Sequence, residues 1–413
     1  MKKLIFTLLY SILLLANLQA SGDGDDSHWH LEDCHDSHDE QFDVSGTALH
    51  HIGDANVYDF SFFLFKGHLS LPCILYAPGD GPNSGLSVFS SGKFKPVDLH
   101  GNGMHSNKGY ILLESKVHRV YDPSFPDHST IECVSHKKEM VNGKEKEVMY
   151  VKVQGKEYPV DVKSTLDGGL VGGGITSFYD FSITKNVLAM MLIALILGWI
   201  FIGMARKYQR NDGKAPSGIQ GFFEPLFEFI KDDVAVPMIG HKYLKFMPYL
   251  MAIFFFILFL NLFGQIPFLG NANVTGNIGF TIVLAVITFL ITNFNGNKDY
   301  WKHILWMPGI PAWVKLILTP IEIVGLFLKP FTLFVRLFAN ITAGHIVILS
   351  FVSLIFLLGN SGESVAGGYG GAVVSTLLTL FMMCIELLVA FIQAFIFTIL
   401  SASYIGAAVE EHH

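Results

Sequence analysis

The chain has 413 residues, of which 51% are hydrophobic and only 15% charged, and its formal net charge is −7. Soluble domains average about 25% charged residues, so this composition argues against a soluble enzyme. The slight acidic excess excludes a typical nucleic-acid-binding protein, which carries a strongly basic surface. An aromatic share of 13% excludes disorder for the chain as a whole.

Residues 1–20 have the pattern of a secretory signal peptide. Lys2 and Lys3 precede an apolar stretch that ends near the small residue Ala20. We predict cleavage there, and the alternative is a retained first membrane helix. In either case the residues that follow are expected outside the cytoplasm.

Residues 21–44 form an acidic, histidine-rich segment. Nine Asp or Glu and four His occur between residues 21 and 43, without any Lys or Arg. Such a composition cannot bury a core, so we predict a flexible tail. The alternative of weak metal binding is less favoured, because the His and Cys spacing matches no closed metal site. We therefore predict no metal and no cofactor.

Residues 45–180 are predicted to form a small β-rich domain on the outer face. Short runs rich in β-branched and aromatic residues alternate with Gly-, Pro- and Asn-containing turns. The clearest runs are His68–Tyr76, Tyr110–Leu113 and Val148–Val153, with a hairpin turn at Gln154–Lys156. Gly168–Gly174 is interpreted as the linker into the membrane.

Three cysteines precede the apolar part of the chain. These are Cys34, Cys73 and Cys133, while Cys384 lies in an apolar run. An oxidising compartment permits one disulfide among the first three, and all three pairings remain open at this stage.

Residues 181–413 are predicted to form an all-α polytopic membrane domain. Apolar runs of about 20 residues or more are typical of transmembrane helices. A further short apolar segment, residues 312–328, precedes the fourth predicted span. The five predicted spans are roughly 184–204, 246–269, 277–294, 331–358 and 372–406.

The distribution of Lys and Arg predicts the orientation of these spans. Seven basic residues lie between Arg206 and Lys245, and three more lie in 295–315, whereas 270–276 and 359–371 contain none. The positive-inside rule places the basic loops in the cytoplasm, the N-terminus in the periplasm and the C-terminus in the cytoplasm. Residues 221–230 are expected to form an amphipathic helix on the inner surface.

The last two predicted spans are too long to cross a bilayer upright. At 1.5 Å per residue they measure about 42 and 52 Å, against a hydrocarbon core of about 30 Å. We expect a long, steeply tilted helical hairpin with a broad side wall.

Charged residues inside these spans are costly and therefore candidates for function. Glu322, Lys329 and Arg336 recur every seven residues, which places them on one helix face near Asn340. Arg336 is a fixed positive charge far from either helix end. It could attract and ionise a passing carboxylate. Alternatively, it could pair with an acidic residue, either Glu322 or Glu386, to hold two helices together.

His345 and Glu386 are the titratable groups best suited to exchange protons. His345 lies about 180° around the helix from Arg336, and Glu386 shares a face of the last helix with Gln393. They could form a wet proton relay on one side of the arginine, or a buried hydrogen-bonded pair.

This pattern resembles subunit a of F-type ATP synthase over about residues 180–413. Residues 329–345 (KPFTLFVRLFANITAGH) resemble the family signature, and Glu386 with Gln393 resembles its last helix. Residues 222–230 and 261–267 (NLFGQIP) are similar to its earlier surface and membrane motifs.

The resemblance implies that Arg336 faces the carboxylates of a rotating ring of c subunits. Gln393 would lie beside it, and Asn340 would line the same interface. His345 and Glu386 would belong to a half-channel from the outer face, and Glu322 to a half-channel to the cytoplasm.

The resemblance further implies a non-catalytic, proton-conducting stator subunit in the inner membrane. Its partners would be the c-ring and subunit b of the peripheral stalk. The outer region 21–180 is longer than in the usual family member, and the resemblance implies no role for it. A stand-alone ion channel or secondary transporter is the alternative, although the sequence shows no internal repeat. A membrane-anchored sensor would not need Arg336, and no hydrolase constellation occurs.

Overall fold

The structure, a computed structural model, forms two compact units. One contains residues 54–188, and the other contains residues 189–266 and 273–410. The residues that it describes are 32–34, 53–62, 65–78, 84–95, 101–120, 122–141, 144–160, 178–210, 215–266, 272–306, 311–359 and 365–410. The predicted signal peptide 1–20 and the predicted linker Gly168–Gly174 lie outside these ranges.

The first unit is built from β-strands, as predicted. The strands are β1 (Glu32–Asp33), β2 (Val57–Phe62), β3 (Phe65–Ser70), β4 (Pro72–Ala77), β5 (Gly85–Ser90), β6 (Tyr110–Leu113), β7 (Lys116–Arg119), β8 (Cys133–Val141), β9 (Lys144–Val153), β10 (Lys156–Pro159) and β11 (Tyr179–Asp180). The sheets have the orders β1-β8-β9-β10 and β11-β4-β5, with β2-β3 and β6-β7 as two-stranded pairs.

Strand β6 connects the two hydrophobic clusters of this unit, because it is buried on both faces. Side chains alternate along a strand, so Tyr110 and Leu112 join a cluster with Cys73, Leu75 and others. Ile111 and Leu113 join a second cluster that includes residues of β9 and β10. The strand itself was predicted from its β-rich run, and its uninterrupted apolar sequence is typical of strands that are buried on both faces.

The run His68–Tyr76 is not one strand, as the sequence suggested, but parts of two. Strand β3 ends at Ser70 and pairs with β2, whereas β4 begins at Pro72 and pairs with β5. Proline lacks a backbone N–H and is found at the first position of strands. The hairpin turn at Gln154–Gly155 is confirmed, with φ values of 51° and 74°.

The predicted tail 21–44 is structured at residues 32–34. Strand β1 pairs in parallel with β8, and a disulfide joins Cys34 to Cys133. This pairing resolves the three possibilities left open by the sequence. Cys73 is a fully buried thiol in the first cluster. The prediction of a flexible tail was wrong at this point, because backbone pairing and the disulfide stabilise the segment. The other residues of 21–44 lie outside the described ranges.

The second unit is helical. Its helices and their junction segments are α1 (Lys185–Arg210, which begins in the first unit), α2 (Ile219–Phe229), a π-helix (Ile230–Ala235), α3 (Val236–Ile239), a 3-10 turn (Gly240–Lys242), α4 (Tyr243–Gly264), α5 (Ile278–Phe294), α6 (Lys298–Leu305), α7 (Ala312–Leu358) and α8 (Val365–Val409). Among the described residues, four helices are long and apolar enough to cross a membrane, or five if α5 and α6 count as one bent span. The prediction of a polytopic α-helical membrane protein with a β-rich N-terminal region is confirmed.

The last two helices are longer than predicted. The apolar segment 312–328 and the span 331–358 are one helix of 47 residues, and α8 has 45 residues. At 1.5 Å per residue they measure about 70 and 68 Å. Pro320 and Pro330 lie inside α7 and do not end it, because neighbouring groups can satisfy the freed carbonyls of a membrane helix. The tilt of the hairpin stays a prediction.

The disulfide provides a test of the first unit. Peptide mapping without reduction should recover Cys34 linked to Cys133, with Cys73 as a thiol. Its two cysteines are 99 residues apart, and a loop of about 100 residues contributes about 4.7 kcal/mol in the chain-entropy model. Cys34→Ser should therefore speed proteolysis of the β domain, whereas Cys384→Ser should not. A peptide linking Cys73 to either partner would contradict the fold.

Candidate functional site

Helices α7 and α8 form an antiparallel pair whose close approach depends on glycine. Gly371 of α8 lies against Ile355 and Leu358 of α7, and Gly359 lies against Gly368. A Cβ added at Gly371 would lie 3.3 Å from Ile355 Cα, closer than ordinary contact. Small residues at helix interfaces allow this approach in membranes. The pair therefore positions the polar residues that lie along it.

Glu386 of α8 packs directly against the backbone of α7 at Gly344. A Cβ at Gly344 would collide with the Glu386 carboxyl oxygen and lie 3.2 Å from Cδ. Only 8% of Glu386 is exposed, and His345, the next residue after Gly344, is 9% exposed. The structure thus brings Glu386 to the helix turn that carries His345, as the relay hypothesis expects.

Two side-chain amides at the C-terminal end of α4 donate hydrogen bonds to backbone carbonyls of α8 at and after Glu386. Gln265 Nε2 donates to the backbone oxygen of Glu386 at 2.7 Å, and Asn261 Nδ2 donates to that of Ala390 at 3.3 Å. The two amides are one helical turn apart on their helix, and the two carbonyls are one turn apart on α8, so the donors and acceptors have the same spacing. Sequence reasoning did not predict this role for Asn261 or Gln265. The only available signal was two amides four residues apart at the end of an apolar helix.

Arg336 and Asn340 lie on the exposed side of α7, four residues apart. Among the described residues Arg336 forms no ion pair. The alternative of a structural pair with Glu322 or Glu386 is therefore not supported. The exposed surface of α7 and α8 is largely apolar. Its large exposed side chains include Ile321, Val324, Phe327, Leu328 and Phe331 of α7 and Leu377, Leu380, Phe381, Leu387 and Leu388 of α8.

Gln393 is buried in α8 among small residues. It lies between Ala390 and Ala394, which are both fully buried. Among the described residues, no hydrogen bond joins Gln393 to Arg336. Gln393 is buried, whereas Arg336 is exposed.

A second cluster of polar residues lies on the N-terminal side of Arg336. Lys329 Nζ lies 5.6 Å from the centre of the Tyr404 ring, and the Tyr300 hydroxyl donates to Asn293 Oδ1 at 3.2 Å. These four residues line a small cavity with space for about one water molecule. Glu322 is partly exposed on α7.

Glu322, Arg336 and His345 are separated along α7. Glu322 lies 14 residues before Arg336 and His345 lies nine after it, or about 21 and 14 Å along the helix axis. Titratable groups therefore occur on both sides of a fixed positive charge. Among the described residues, no group of three or more His, Cys, Asp or Glu is placed to hold a metal ion.

Comparison with protein families assigns the two parts of the chain separately. The family described as ATP synthase A chain matches residues 187–406, more than half of the chain. A domain of unknown function matches residues 47–167. The first match covers the helices with the site residues, and the second covers most of the predicted β domain.

Curated relatives agree with the first match. ATP synthase subunit a 2 of Chlorobaculum tepidum is 44% identical over 236 residues, which cover 56% of this chain and 64% of the relative. ATP synthase subunit a of Chloroherpeton thalassium is 44% identical over 242 residues, covering 57% and 69%. The Anaeromyxobacter sp. protein with the same name is 40% identical over 264 residues, covering 61% and 59%. The aligned part thus spans about three fifths to two thirds of these relatives.

The amide contacts predict a local effect of Gln265→Leu. The variant removes a bond between helices, which is worth about 0.6 kcal/mol on average in membranes and up to about 1.7. We expect faster hydrogen exchange of the α8 amides around Glu386. Thr332→Val is the matched control, because Thr332 Oγ1 donates at 2.9 Å within its own helix. Equal exchange in both variants would show that Gln265 does not hold α8.

Proposed function

Because the chain belongs to the ATP synthase A chain family, we propose that it is the proton-conducting stator subunit of an F-type ATP synthase. The observation that carries the proposal is Arg336, which is exposed on an apolar helix surface and has titratable groups on either side. In this proposal the subunit is non-catalytic and couples proton flow to rotation of a ring of c subunits.

Arg336 acts as the fixed charge that faces the ring. An opposite charge at about 4 Å and an effective dielectric constant of 20 is worth roughly 4 kcal/mol, or about a thousandfold in ionisation. A ring carboxylate that passes Arg336 therefore loses its proton. The apolar surface around Arg336 suits the outer side of membrane helices. Asn340 on the same side of α7 lines this interface.

The two half-channels are offset along α7. Glu386 and His345 belong to the path from the outer face, where their burial in the helix pair limits water. Glu322 belongs to the path towards the cytoplasm, with the Tyr300 and Lys329 cluster beside it. Gln393, buried in α8, lies beside Arg336 near the ring interface in this proposal.

The surrounding complex supplies the partners. The c-ring contacts the Arg336 side of the hairpin. An apolar cavity of about 840 Å³ between α1, α2, α4 and α5 of this chain offers a surface to which subunit b binds. The inner membrane is the location, with the N-terminus in the periplasm and the C-terminus in the cytoplasm. The Cys34–Cys133 disulfide supports an oxidising compartment for the β domain.

A stand-alone ion channel or secondary transporter is less well supported. A fixed positive charge at mid-depth opposes direct passage of cations. A carrier that brings its own carboxylate past Arg336 removes this barrier. Proton flow would then require a ring of carboxylate-bearing subunits, which co-purification can detect.

Arg336→Ala tests the proposal directly. The variant complex should assemble but lose ATP synthesis and ATP-driven proton pumping, because the ring carboxylate stays protonated. Arg336→Lys should also fail, since the amine can lose its proton where it is desolvated. Lys315→Ala is the control, because it removes a positive charge near the start of the same helix. Normal pumping by assembled Arg336→Ala complex in vesicles would overturn the proposed role of Arg336.

Gly344→Ala tests the outer path separately. The added Cβ occupies the position of the Glu386 carboxyl group and forces it away from α7. We expect several-fold slower proton uptake, with the complex still assembled. Gly325→Ala lies in the same helix and has no atom within 4 Å of the added Cβ, so it should pump normally. Equal rates in the two variants would argue against a path that depends on the Glu386 position.

A further inference from the structure

The cavity of about 840 Å³ between α1, α2, α4 and α5 follows one stripe of α1. Ala194, Leu197, Phe201, Ala205 and Tyr208 line it, and residues that recur every three or four positions share one side of a helix. From Ala194 to Tyr208 the stripe extends about 21 Å along the helix axis. We call this cavity the α1 groove.

All charge in the α1 groove comes from one wall. Glu224, Glu228 and Lys231 of α2 and the following π-helix line it, whereas the lining residues of α1, α4 and α5 are uncharged. Glu224 and Glu228 are one helical turn apart, so their carboxyl groups lie on the same side of α2. The groove is therefore uncharged on three walls and carries two carboxyl groups on the fourth.

The described residues of the chain do not balance this acidic wall. Glu224 Oε2 is buried and accepts no hydrogen bond from any of them. The Lys231 ammonium, which also lines the groove, forms an ion pair with the neighbouring Asp232 at 3.0 Å. Leaving a buried carboxyl oxygen without a donor is unfavourable. A molecule that fills the groove is therefore expected to bring a donor, and a cation suits two carboxylates best.

The uncharged walls suit a helix better than a lipid chain. Ala194 and Ala205 of α1 and Ala252 of α4 line the groove, and small residues allow a second helix to approach closely within a membrane. Met247 and Met251 of α4 are one turn apart and add flexible side chains that adapt to a partner. An acyl chain needs no such close approach of backbones.

We propose that the subunit b helix in the α1 groove carries a lysine or arginine that pairs with Glu224 and Glu228. This inference rests on the proposed function, which places subunit b at the groove, and it adds the contact that selects and orients the helix. Both carboxyl groups lie in the loop predicted to be cytoplasmic, and membrane helices carry their basic residues on that side. Opposite charges across an interface fix its register.

Photocrosslinking in the assembled complex tests which molecule occupies the groove. p-Benzoyl-phenylalanine replaces Tyr208, an exposed aromatic residue of the groove, in native membrane vesicles. Mass spectrometry then identifies the captured molecule, and we expect subunit b. Capture of lipid or of another subunit would overturn both the proposed place of subunit b and the ion pair.

Glu224→Gln tests the ion pair separately, because it removes the charge and keeps the shape of the side chain. Loss of one partner of a buried pair mainly raises the dissociation rate. We therefore expect subunit b to leave the purified complex several-fold faster during a salt wash. Asp233→Asn is the matched control, since Asp233 is exposed on the same segment and does not line the groove. The amount of c-ring that co-purifies shows whether each variant is folded.

Glu224→Lys adds a test by charge reversal. This variant should lose subunit b, and replacing one lysine or arginine of subunit b by glutamate should restore it. Loss that no such replacement restores would contradict the ion pair. If Tyr208 captures subunit b but Glu224→Gln and Asp233→Asn release it at the same rate, the place of subunit b stands and the ion pair is wrong.

Discussion

The close packing of α7 against α8 is the interaction on which the functional arrangement depends. Without hydrophobic attraction between helices in lipid, contact area and small residues drive association. Gly344 and Gly371 supply the space for that contact. The pairing turns His345 and Glu386 inwards and leaves Arg336 on the surface. A single geometric constraint therefore separates the buried titratable groups from the exposed arginine.

Helix α4 adds a second constraint at the same level. Its two terminal amides bond to carbonyls that already accept helical hydrogen bonds in α8. Carbonyl oxygens have two lone pairs, so these bonds add to the helix without interrupting it. The carboxyl group of Glu386 remains available because the amides bind its backbone. These two bonds thus fix the helix turn without using the Glu386 carboxyl group.

Sequence patterns predicted the elements that rest on local periodicity and missed those set by tertiary contacts. The apolar run Tyr110–Leu113 indicated a strand, and the spacing of seven placed Glu322 and Arg336 on a common face. The run His68–Tyr76 is divided because Pro72 starts a new strand, whereas Pro330 lies inside one helix that joins residues 312–328 to 331–358, so the effect of a proline depends on its neighbours. Gln265 was missed as a contact residue because its partner is a backbone atom 121 residues away, which no periodic pattern records.

The cap that Asp54 provides to α1 has a consequence for the order of folding. The contact between Thr184 and Asp54 joins residues 130 positions apart, and contacts of such separation form late because a long loop must close first. The helix can enter the membrane on hydrophobicity alone, but its first turn is completed only when the segment around Asp54 has packed against it. Membrane insertion and the end of folding are therefore distinct events in the biogenesis of this chain.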